Sequence, residues 1–385
     1  MGKGGLKMKV LELFGGIGAC TNALKRIGID VEVVDYVEID KYAVASYNAI
    51  NGTNFEPQDI CKWDKDVEVD LIMHGSPCQD FSLAGKQAGG DEGSGTRSSL
   101  MYETIRIVEK LKPKYVIWEN VKNLLSKKHK HNFDAYLETM KALGYTNYYQ
   151  VLNAKDYGIP QNRERVFTIS ILGEHKPFVF PEKQELKIRL KDILDDVVEE
   201  KFYLKDYQIK NIVNSDFAQK NKLIQEKDVC DTLLARDYKD PKCVRIGGIF
   251  DTEKSKHQAG SIWDKEGLSP TLDTMQGGWR QPSIITAAAM RGRYNEDKVE
   301  QHIEVSDREY SNAITTVQKD SLINCDYRIR KLTHKECWRL MGFDDSDFEK
   351  AAKVNSNSQL YKQAGNSIVV NVLEEIFKNL FTKEE

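Results

Sequence analysis

A cysteine stands directly after an apolar run, at the place where an α/β fold gathers its reactive groups. Cys78 lies in the segment Gly75-Ser76-Pro77-Cys78-Gln79, which follows the strand-like run Val69–Met73. Ligands of doubly wound folds bind beyond the carboxyl ends of the strands, and a thiolate at that edge can act as a nucleophile. Most cysteines are inert core residues, but Pro77 restricts the backbone before this thiol, and the glycine-rich stretch 85–95 after it is typical of a mobile lid. The sequence predicts that Cys78 is a catalytic nucleophile.

A carboxylate follows a second strand candidate. Glu119 comes directly after Tyr115–Trp118, and its side chain is expected at the same edge of the sheet as Cys78. A carboxyl group in that place can bind or protonate a ring nitrogen. The alternative is that Glu119 caps the next helix, where an acid is favoured by the helix dipole.

A pair of arginines precedes a third strand candidate. Arg163 and Arg165 lie in Gln161-Asn162-Arg163-Glu164-Arg165, just before Val166–Ile171, and strand alternation places both side chains on one side. Two guanidinium groups suit a carbonyl oxygen, a carboxylate or a phosphate. Taken alone, the same pattern is also typical of surface charge.

A glycine-rich turn indicates a nucleoside cofactor. Phe14-Gly15-Gly16-Ile17-Gly18 separates a strand candidate from a helix candidate, so its backbone can approach a ligand at the helix N-terminus. Glu38 follows 20 residues after Gly18, at the end of the next strand, where a carboxylate can accept hydrogen bonds from a ribose diol. Thr21 replaces the third glycine of a dinucleotide fingerprint, which disfavours a pyrophosphate. The pattern favours S-adenosylmethionine, which needs no phosphate cradle.

A second acid could complete that pocket. Asp59-Ile60 offers a carboxylate and an apolar flank to an adenine ring, although Asp59 could equally be a solvated loop acid.

The elements that would position these residues follow the pattern of βαβ units and a mostly parallel, doubly wound sheet. One helix is expected after the glycine turn, ending near Gly28, and another from about Leu100 to Leu111. The strand candidates are Lys9–Phe14, Val31–Val37, Val69–Met73, Tyr115–Trp118, Tyr148–Leu152 and Val166–Ile171.

The chain changes character from about Pro181 to Cys325, where charged, irregular segments are broken by Gly and Pro. Helical order returns near Leu332, with the spacing of a capping box at Thr333 and Glu336 and of a hydrophobic staple at Leu332 and Cys337. We therefore expect a discontinuous large domain, 8–185 plus 326–385, with a smaller domain, 186–325, inserted. A weak repeat in that segment, which could also arise by chance, comprises Asp231-Thr232-Leu233-Leu234, Pro270-Thr271-Leu272-Asp273 and Ala313-Ile314-Thr315-Thr316. The apolar stripe of a final helix comprises Val369, Val372, Leu373, Ile376 and Leu380.

Composition limits the function classes. The chain has 385 residues, 40% apolar and 30% charged, and no apolar run long enough to span a bilayer, so we expect a cytoplasmic protein without a membrane partner. Its 7 cysteines are scattered without a Cys-x-x-Cys pair, which argues against a disulfide framework and a zinc site, and no metal is expected. Because the net charge is −3, any DNA-binding surface must be local.

Taken in order, these motifs resemble the DNA (cytosine-5) methyltransferase family of bacteria and their phages. The resemblance covers about two-thirds of the chain, and its motifs are jointly very specific. They are Phe14 to Gly18, Gly75-Ser76-Pro77-Cys78-Gln79, Glu119-Asn120-Val121, Gln161-Asn162-Arg163-Glu164-Arg165 and Gln363-Ala364-Gly365-Asn366-Ser367.

The resemblance implies a reaction and a cofactor. The Cys78 thiolate would attack C6 of a flipped cytosine, Glu119 would protonate N3, and carbon 5 would take a methyl group from S-adenosylmethionine, which leaves S-adenosylhomocysteine. Arg165 and Arg163 would contact the base or stabilise the loop that carries the nucleophile. The residues assigned to the cofactor are Phe14, Gly15, Gly16, Ile17, Gly18, Glu38, Ile39, Asp59, Ile60, Pro77, Leu100, Asn366 and Ser367.

The same resemblance implies double-stranded DNA as the partner of a Rossmann-like methyltransferase domain with an inserted β-rich target-recognition domain. Thr271-Leu272 matches the family's Thr-Leu dipeptide, although the repeats at Asp231 and Ala313 depart from its pattern. Arg and Gln side chains nearby can pair with guanine and adenine. The residues assigned to DNA are Gln79, Ser82, Lys86, Thr271, Leu272, Gly277, Gly278, Trp279, Arg280 and Gln281.

Three alternatives remain open. A methyltransferase-like scaffold that binds DNA without catalysis predicts the loss of Cys78 or Glu119, and both are present. An exocyclic-amine methyltransferase would carry Asn or Asp, then Pro-Pro and an aromatic residue, where this chain has Ser76-Pro77-Cys78. An NAD-dependent oxidoreductase is disfavoured by Thr21. We expect a monomer, and the sequence does not decide whether a cognate restriction endonuclease accompanies it.

Overall fold

The computed structural model describes residues 7–77, 100–202 and 332–382, together with the backbone of short strands between 251 and 331. In the described part of the chain, no helix combines the length and apolar character needed to cross a membrane.

A six-stranded mixed sheet forms the centre of the fold, in the order β2-β1-β3-β4-β6-β5. The strands β2, β1, β3 and β4 run parallel to one another, and β6 runs antiparallel to both β4 and β5. Five strands therefore point the same way, in agreement with the mostly parallel sheet expected. The strands are β1 (Met8–Leu13), β2 (Val31–Val37), β3 (Leu71–His74), β4 (Tyr115–Val121), β5 (Tyr145–Asn153) and β6 (Glu164–Leu172).

Eight helices are assigned in the described residues, and those expected after the glycine turn and before β4 are among them. They are α1 (Ala19–Arg26), α2 (Lys41–Asn51), α3 (Met101–Leu111), α4 (Lys130–Ala142), α5 (His334–Arg339), α6 (Asp345–Ala352), α7 (Asn357–Asn366) and α8 (Val370–Phe377), and a π-helical turn, Lys378–Thr382, follows α8.

Strand alternation divides the core between the two faces of the sheet. Val10 packs in a cluster that contains α1 and the C-terminal helix α8, whereas its neighbour Leu11 packs in a second cluster, with α3 and α4. Helices thus cover both faces, which is the doubly wound arrangement predicted from the apolar runs.

The chain returns to the first face through its last 50 or so residues, as expected. Thr333 and Glu336 form the predicted capping box at the start of α5. Leu332 and Cys337, the expected staple pair, are both fully buried in the same cluster as α8. The return therefore buries the apolar stripe of the final helix against α1 and the sheet.

The hydrophobic cluster that contains Val10 and α8 includes residues as far along the chain as Phe202. Leu190, Ile193 and Phe202 all belong to the cluster that contains α8, and the Phe202 ring makes an edge contact with His334, at a centroid distance of 5.8 Å. The division into 8–185 plus 326–385 and 186–325 stays a prediction. A large domain that includes these contacts reaches Phe202.

The described backbone between 251 and 331 forms sheets separate from the central one. The central strand of its four-stranded sheet, β10, pairs antiparallel with β11 and β12 and parallel with β9, and β7 pairs with β8. The three Thr-rich repeats fall outside the described residues. The strands are β7 (Asp251–Thr252), β8 (Ser255–Lys256), β9 (Ile262–Trp263), β10 (Ser283–Asn295), β11 (Lys298–Glu304) and β12 (Tyr327–Lys331).

Truncating the final helix tests whether the C-terminal return stabilises the sheet. We expect Leu373→Ala to lower the free energy of unfolding by about 2–5 kcal/mol, because Leu373 is fully buried and the change leaves a cavity. Urea unfolding followed by circular dichroism measures the loss. Glu375→Ala is the matched control in the same helix: it removes only a partly exposed ion pair to Lys378, worth about 1 kcal/mol or less. Equal losses for the two variants would contradict the packing described.

Candidate active site

The glycine turn is shaped by close contacts as well as by backbone conformation. The strand ends at Leu13, one residue earlier than expected, because Phe14 already has a positive φ of 54°. A Cβ atom at Gly15 would lie 2.6 Å from the ring of Tyr36, so only glycine fits there. The Tyr36 hydroxyl donates to the Gly16 carbonyl at 2.5 Å. The turn is thus fixed to β2 immediately before α1 begins.

Glu38 contacts this turn, and its assignment to a ribose diol stays a prediction. One carboxylate oxygen accepts the Gly16 N–H at 3.2 Å, and the other accepts the Asp40 N–H at 2.9 Å. Burial raises the pKa of Glu38, and these N–H groups oppose that rise. Ile39 beside it is 70% exposed, a large apolar surface next to the glycine turn.

Asp59, Ile60 and Leu100 occupy other positions. Asp59 accepts the Cys61 N–H at 3.1 Å and caps a short 3₁₀ turn, while Ile60 and Leu100 pack in the cluster beneath α3. None of the three lines the cleft described next, so their assignment to a cofactor stays a prediction.

An open cleft lies at the carboxyl edge of the sheet. It brings together the glycine turn, the end of β3, Glu119 of β4 and the segment after α7, which are four of the regions singled out in the sequence. The lining residues to which the sequence analysis gave no site role are Glu12, Leu13, Ala19, Cys20, Met73 and Ile368. The described lining residues are Glu12, Leu13, Phe14, Gly15, Gly16, Ile17, Ala19, Cys20, Met73, Gly75, Glu119, Asn366, Ser367 and Ile368.

Glu119 combines burial with a nearby cation. Its side chain projects from within β4 into the cleft, and Arg165 Nε lies 3.1 Å from its Oε1. Burial raises the pKa of the Glu119 carboxyl, and the charges of Arg165 and Arg163 offset only part of that rise. A raised pKa favours the protonated carboxyl, which is the form that can donate a proton.

Arg163 has a different position from Arg165. It precedes β6, which begins at Glu164, so strand alternation does not govern its direction. Its buried guanidinium donates to the Gly365 carbonyl at 3.2 Å and to the Ser367 carbonyl at 2.8 Å. Arg163 thus holds the C-terminal segment against the cleft, while Arg165 faces Glu119.

The segment that leads to the cysteine is described as far as Pro77. Before it, Ser76 is held by two neighbours from β4 that sequence reasoning missed: the Trp118 indole N–H donates to its hydroxyl at 2.9 Å, and the Asn120 amide donates to its carbonyl at 3.2 Å. The residues predicted to be catalytic or to bind DNA that lie outside the described part of the chain are Cys78, Gln79, Ser82, Lys86, Thr271, Leu272, Gly277, Gly278, Trp279, Arg280 and Gln281.

Glu12 is a second buried acid in the cleft. It accepts hydrogen bonds from the hydroxyls of Thr21 and Tyr47, the latter at 3.2 Å. Burial raises the pKa of Glu12 to about 7, although both hydrogen bonds oppose the rise. The signal in the sequence was an acid inside the apolar strand Val10–Leu13. Thr21, which breaks the dinucleotide fingerprint, is the residue that supports this acid.

Comparison with known proteins identifies this arrangement. The model of the family "C-5 cytosine-specific DNA methylase" matches residues 8–382. The chain belongs to that family. Its activity is accordingly that of a DNA (cytosine-5-)-methyltransferase.

Individual relatives agree with the assignment. The chain is 34% identical to the orphan methyltransferase M.SPBetaI of Bacillus phage SPbeta, over 97% of both chains. It is 38% identical to the type II methyltransferase M2.ScrFI of Lactococcus lactis subsp. cremoris, over 82% of this chain and 68% of that one. Among solved structures, the Entamoeba histolytica methyltransferase EhMeth has the same fold, with a TM-score of 0.64 at 15% identity over 99% of this chain and 100% of that one.

The buried acid Glu12 should make the stability of this methyltransferase depend on pH. The folded-state pKa of Glu12 is about 7 and its ordinary value is 4.5, so the folded protein keeps a proton that the unfolded chain has lost between these pH values. The contribution of Glu12 to stability is therefore full below about pH 4.5 and lost as the pH rises through about 7. Urea unfolding gives the free energy of unfolding of wild type and of Glu12→Gln. Across this window, we expect wild type to become less stable relative to the variant as the pH rises. A difference that is flat with pH would contradict the buried acid.

Proposed function

We propose that this methyltransferase acts on a specific cytosine flipped out of duplex DNA, with Cys78 as nucleophile, Glu119 as proton donor and S-adenosylmethionine as methyl donor. The observation that carries the proposal is Glu119: a buried carboxyl with a raised pKa lines the cleft, beside the segment that runs into Cys78. The family assignment supports the methyl transfer, and the position of Glu119 supports the roles of the residues.

The cleft fits a cationic cofactor. Two of its described lining residues, Glu12 and Glu119, are acids, and none of the described lining residues is basic. A pyrophosphate would find no basic side chain among these described lining residues, and S-adenosylmethionine needs none. The backbone of Phe14 to Gly18, the Glu38 carboxylate, Asn366 and Ser367 would hold it, and Ile39, Asp59, Ile60, Pro77 and Leu100 are the further contacts we propose. When bound, S-adenosylmethionine supplies an electrophilic methyl group and leaves as S-adenosylhomocysteine.

The protein supplies the activation of the base. The Cys78 thiolate forms a bond to C6 of cytosine, the C5–C6 double bond opens, and its electrons move into the ring while Glu119 delivers a proton to N3. Carbon 5 thereby becomes nucleophilic. After methylation, a base removes the C5 proton, the C5–C6 double bond re-forms, the Cys78 thiolate leaves, and the N3 proton returns to the Glu119 carboxylate. Arg165, next to the Glu119 carboxyl, directs it and balances its charge once the proton has gone.

A local basic surface supports DNA as the substrate despite the net charge of −3. The run from Lys122 to His131 contains four lysines, two histidines and no acid. It follows directly after β4, so it lies at the edge of the sheet that holds Glu119, and Lys122, Lys127, Lys128 and Lys130 are all exposed. Exposed lysines at that edge can neutralise phosphates beside the target base.

Covalent trapping tests the proposed chemistry. With duplex DNA that contains 5-fluorocytosine in the recognition site, and with S-adenosylmethionine, we expect a stable protein–DNA adduct, because fluorine at C5 cannot leave as a proton does. Cys78→Ser should abolish the adduct, as seen by denaturing gel electrophoresis. The recognition site comes first from bisulfite sequencing of DNA from cells that express the protein.

An exposed cysteine provides the matched control for this trapping experiment. Cys61→Ser changes a thiol on the surface, and it should form the adduct as wild type does. An adduct that survives Cys78→Ser, or one that is lost equally in both variants, would overturn the assignment of the nucleophile.

The salt dependence of DNA binding tests the basic run. We expect Lys127→Gln/Lys128→Gln to reduce the slope of log K against log salt concentration by about 1–2, since each phosphate contact contributes about 0.9 to the slope. Lys112→Gln/Lys176→Gln is the control with the same charge change, because these exposed lysines precede β4 and follow β6, at the opposite edge of the sheet. Fluorescence anisotropy at several salt concentrations gives the slopes. Identical slopes for the two double variants would remove the basic run from the DNA interface.

A further inference from the structure

Ser76 is held to β4 through its side-chain hydroxyl and its backbone carbonyl. Its hydroxyl accepts the Trp118 indole N–H at 2.9 Å, and its carbonyl accepts the Asn120 side-chain N–H at 3.2 Å. All three residues are almost completely buried. The chain two residues before Cys78 is therefore held in position by a single strand.

An aromatic stack fixes the direction of the indole N–H. The Trp118 ring lies parallel to the His74 imidazole, at a centroid distance of 5.6 Å and an angle of 8°, and its centroid is 4.3 Å from that of Tyr136. The Tyr136 hydroxyl lies 3.3 Å from His74 Nε2. Burial lowers the pKa of His74 to about 3, so the imidazole is neutral at working pH. Trp118 has little freedom to turn away from Ser76.

Glu119 lies between the two residues that hold Ser76. Strand alternation points Trp118 and Asn120 to one side of β4 and Glu119 to the other. On its own side, Glu119 lies next to Gly75: a Cβ atom there would be 3.9 Å from Glu119 Oε2. Three successive residues of β4 thus supply the acid and hold the segment that leads to Cys78.

We propose that Trp118 and Ser76 are positioning residues for methyl transfer, and that their hydrogen bond sets where the chain that carries Cys78 lies relative to Glu119. This inference rests on the proposed roles of Cys78 and Glu119. Stability alone does not call for the bond. Burying an indole N–H and a hydroxyl removes both groups from water, and the hydrogen bond between them contributes only about 0.5–1.5 kcal/mol net to the free energy of unfolding. Phe and Ala in place of Trp118 and Ser76 would therefore change that free energy little.

Variants that remove one atom group at a time test the inference. Trp118→Phe keeps an aromatic ring in the stack and loses the N–H, and Ser76→Ala loses the hydroxyl. We expect each to slow single-turnover adduct formation on 5-fluorocytosine DNA by about 10-fold, because small misplacements of reacting groups are costly, while the Kd values for DNA and S-adenosylmethionine change by less than about twofold. The double variant should be no slower than either single variant, since both remove the same bond. Ser76→Thr, which keeps a hydroxyl, should recover most of the rate.

A second buried indole controls for a purely structural effect. The Trp338 N–H donates to the Leu360 carbonyl at 2.9 Å in the core away from the cleft, so Trp338→Phe loses an equivalent bond. Thermal melting identifies a temperature at which all variants are folded. If Trp118→Phe and Trp338→Phe then form the adduct at equal rates, or if the effects of Ser76→Ala and Trp118→Phe simply multiply, the inference fails and the proposed function stands. If wild type forms no adduct at all, the proposed function itself fails.

Discussion

The register of three parallel strands is the constraint on which the site depends. Leu13 pairs with His74 across β1 and β3, and His74 pairs with Trp118 across β3 and β4. In each case the residue that follows in the chain lines the cleft. These three residues are Phe14, Gly75 and Glu119. Parallel strands in register bring their successive residues to one edge, so a glycine turn, a nucleophile segment and an acid from distant parts of the sequence become neighbours. Shifting any of these strands by one residue would exchange the two faces and disperse the site.

Burial raises the pKa of both acids in the cleft, but the groups that oppose the rise are different. Both lose contact with water, and burial is the main cause of the raised pKa of each. Around Glu12 the opposing groups are neutral hydroxyls, which hold it between its two charge states near neutral pH. Around Glu119 they are guanidinium groups, which stabilise the carboxylate after it has given up its proton. The first environment suits an acid that stays in place while a cation binds, and the second suits one that takes part in proton transfer.

The sequence showed the strands, the glycine turn and the C-terminal return because each has a local signal: apolar alternation, glycine spacing, a capping box. It did not show the contacts that organise the site, because those join residues far apart. The Trp118 indole reaches Ser76 across 42 positions and resembles an ordinary core residue in sequence. Arg163 binds the Gly365 and Ser367 carbonyls across 202 and 204 positions. Strand alternation alone does not settle the direction of the Arg163 side chain, since β6 begins at Glu164, one residue after it.

The recognition domain that we propose would be inserted between two parts of the core that lie in contact. The described core ends at Phe202 before this segment and resumes at Leu332 after it, and the Phe202 and His334 rings are in contact. A long segment inserted between adjacent, buried ends adds little strain to the domain that carries it, and its closure entropy grows only slowly with length. Residues between these points can therefore vary in length and sequence without moving α7, Arg163 or the cleft.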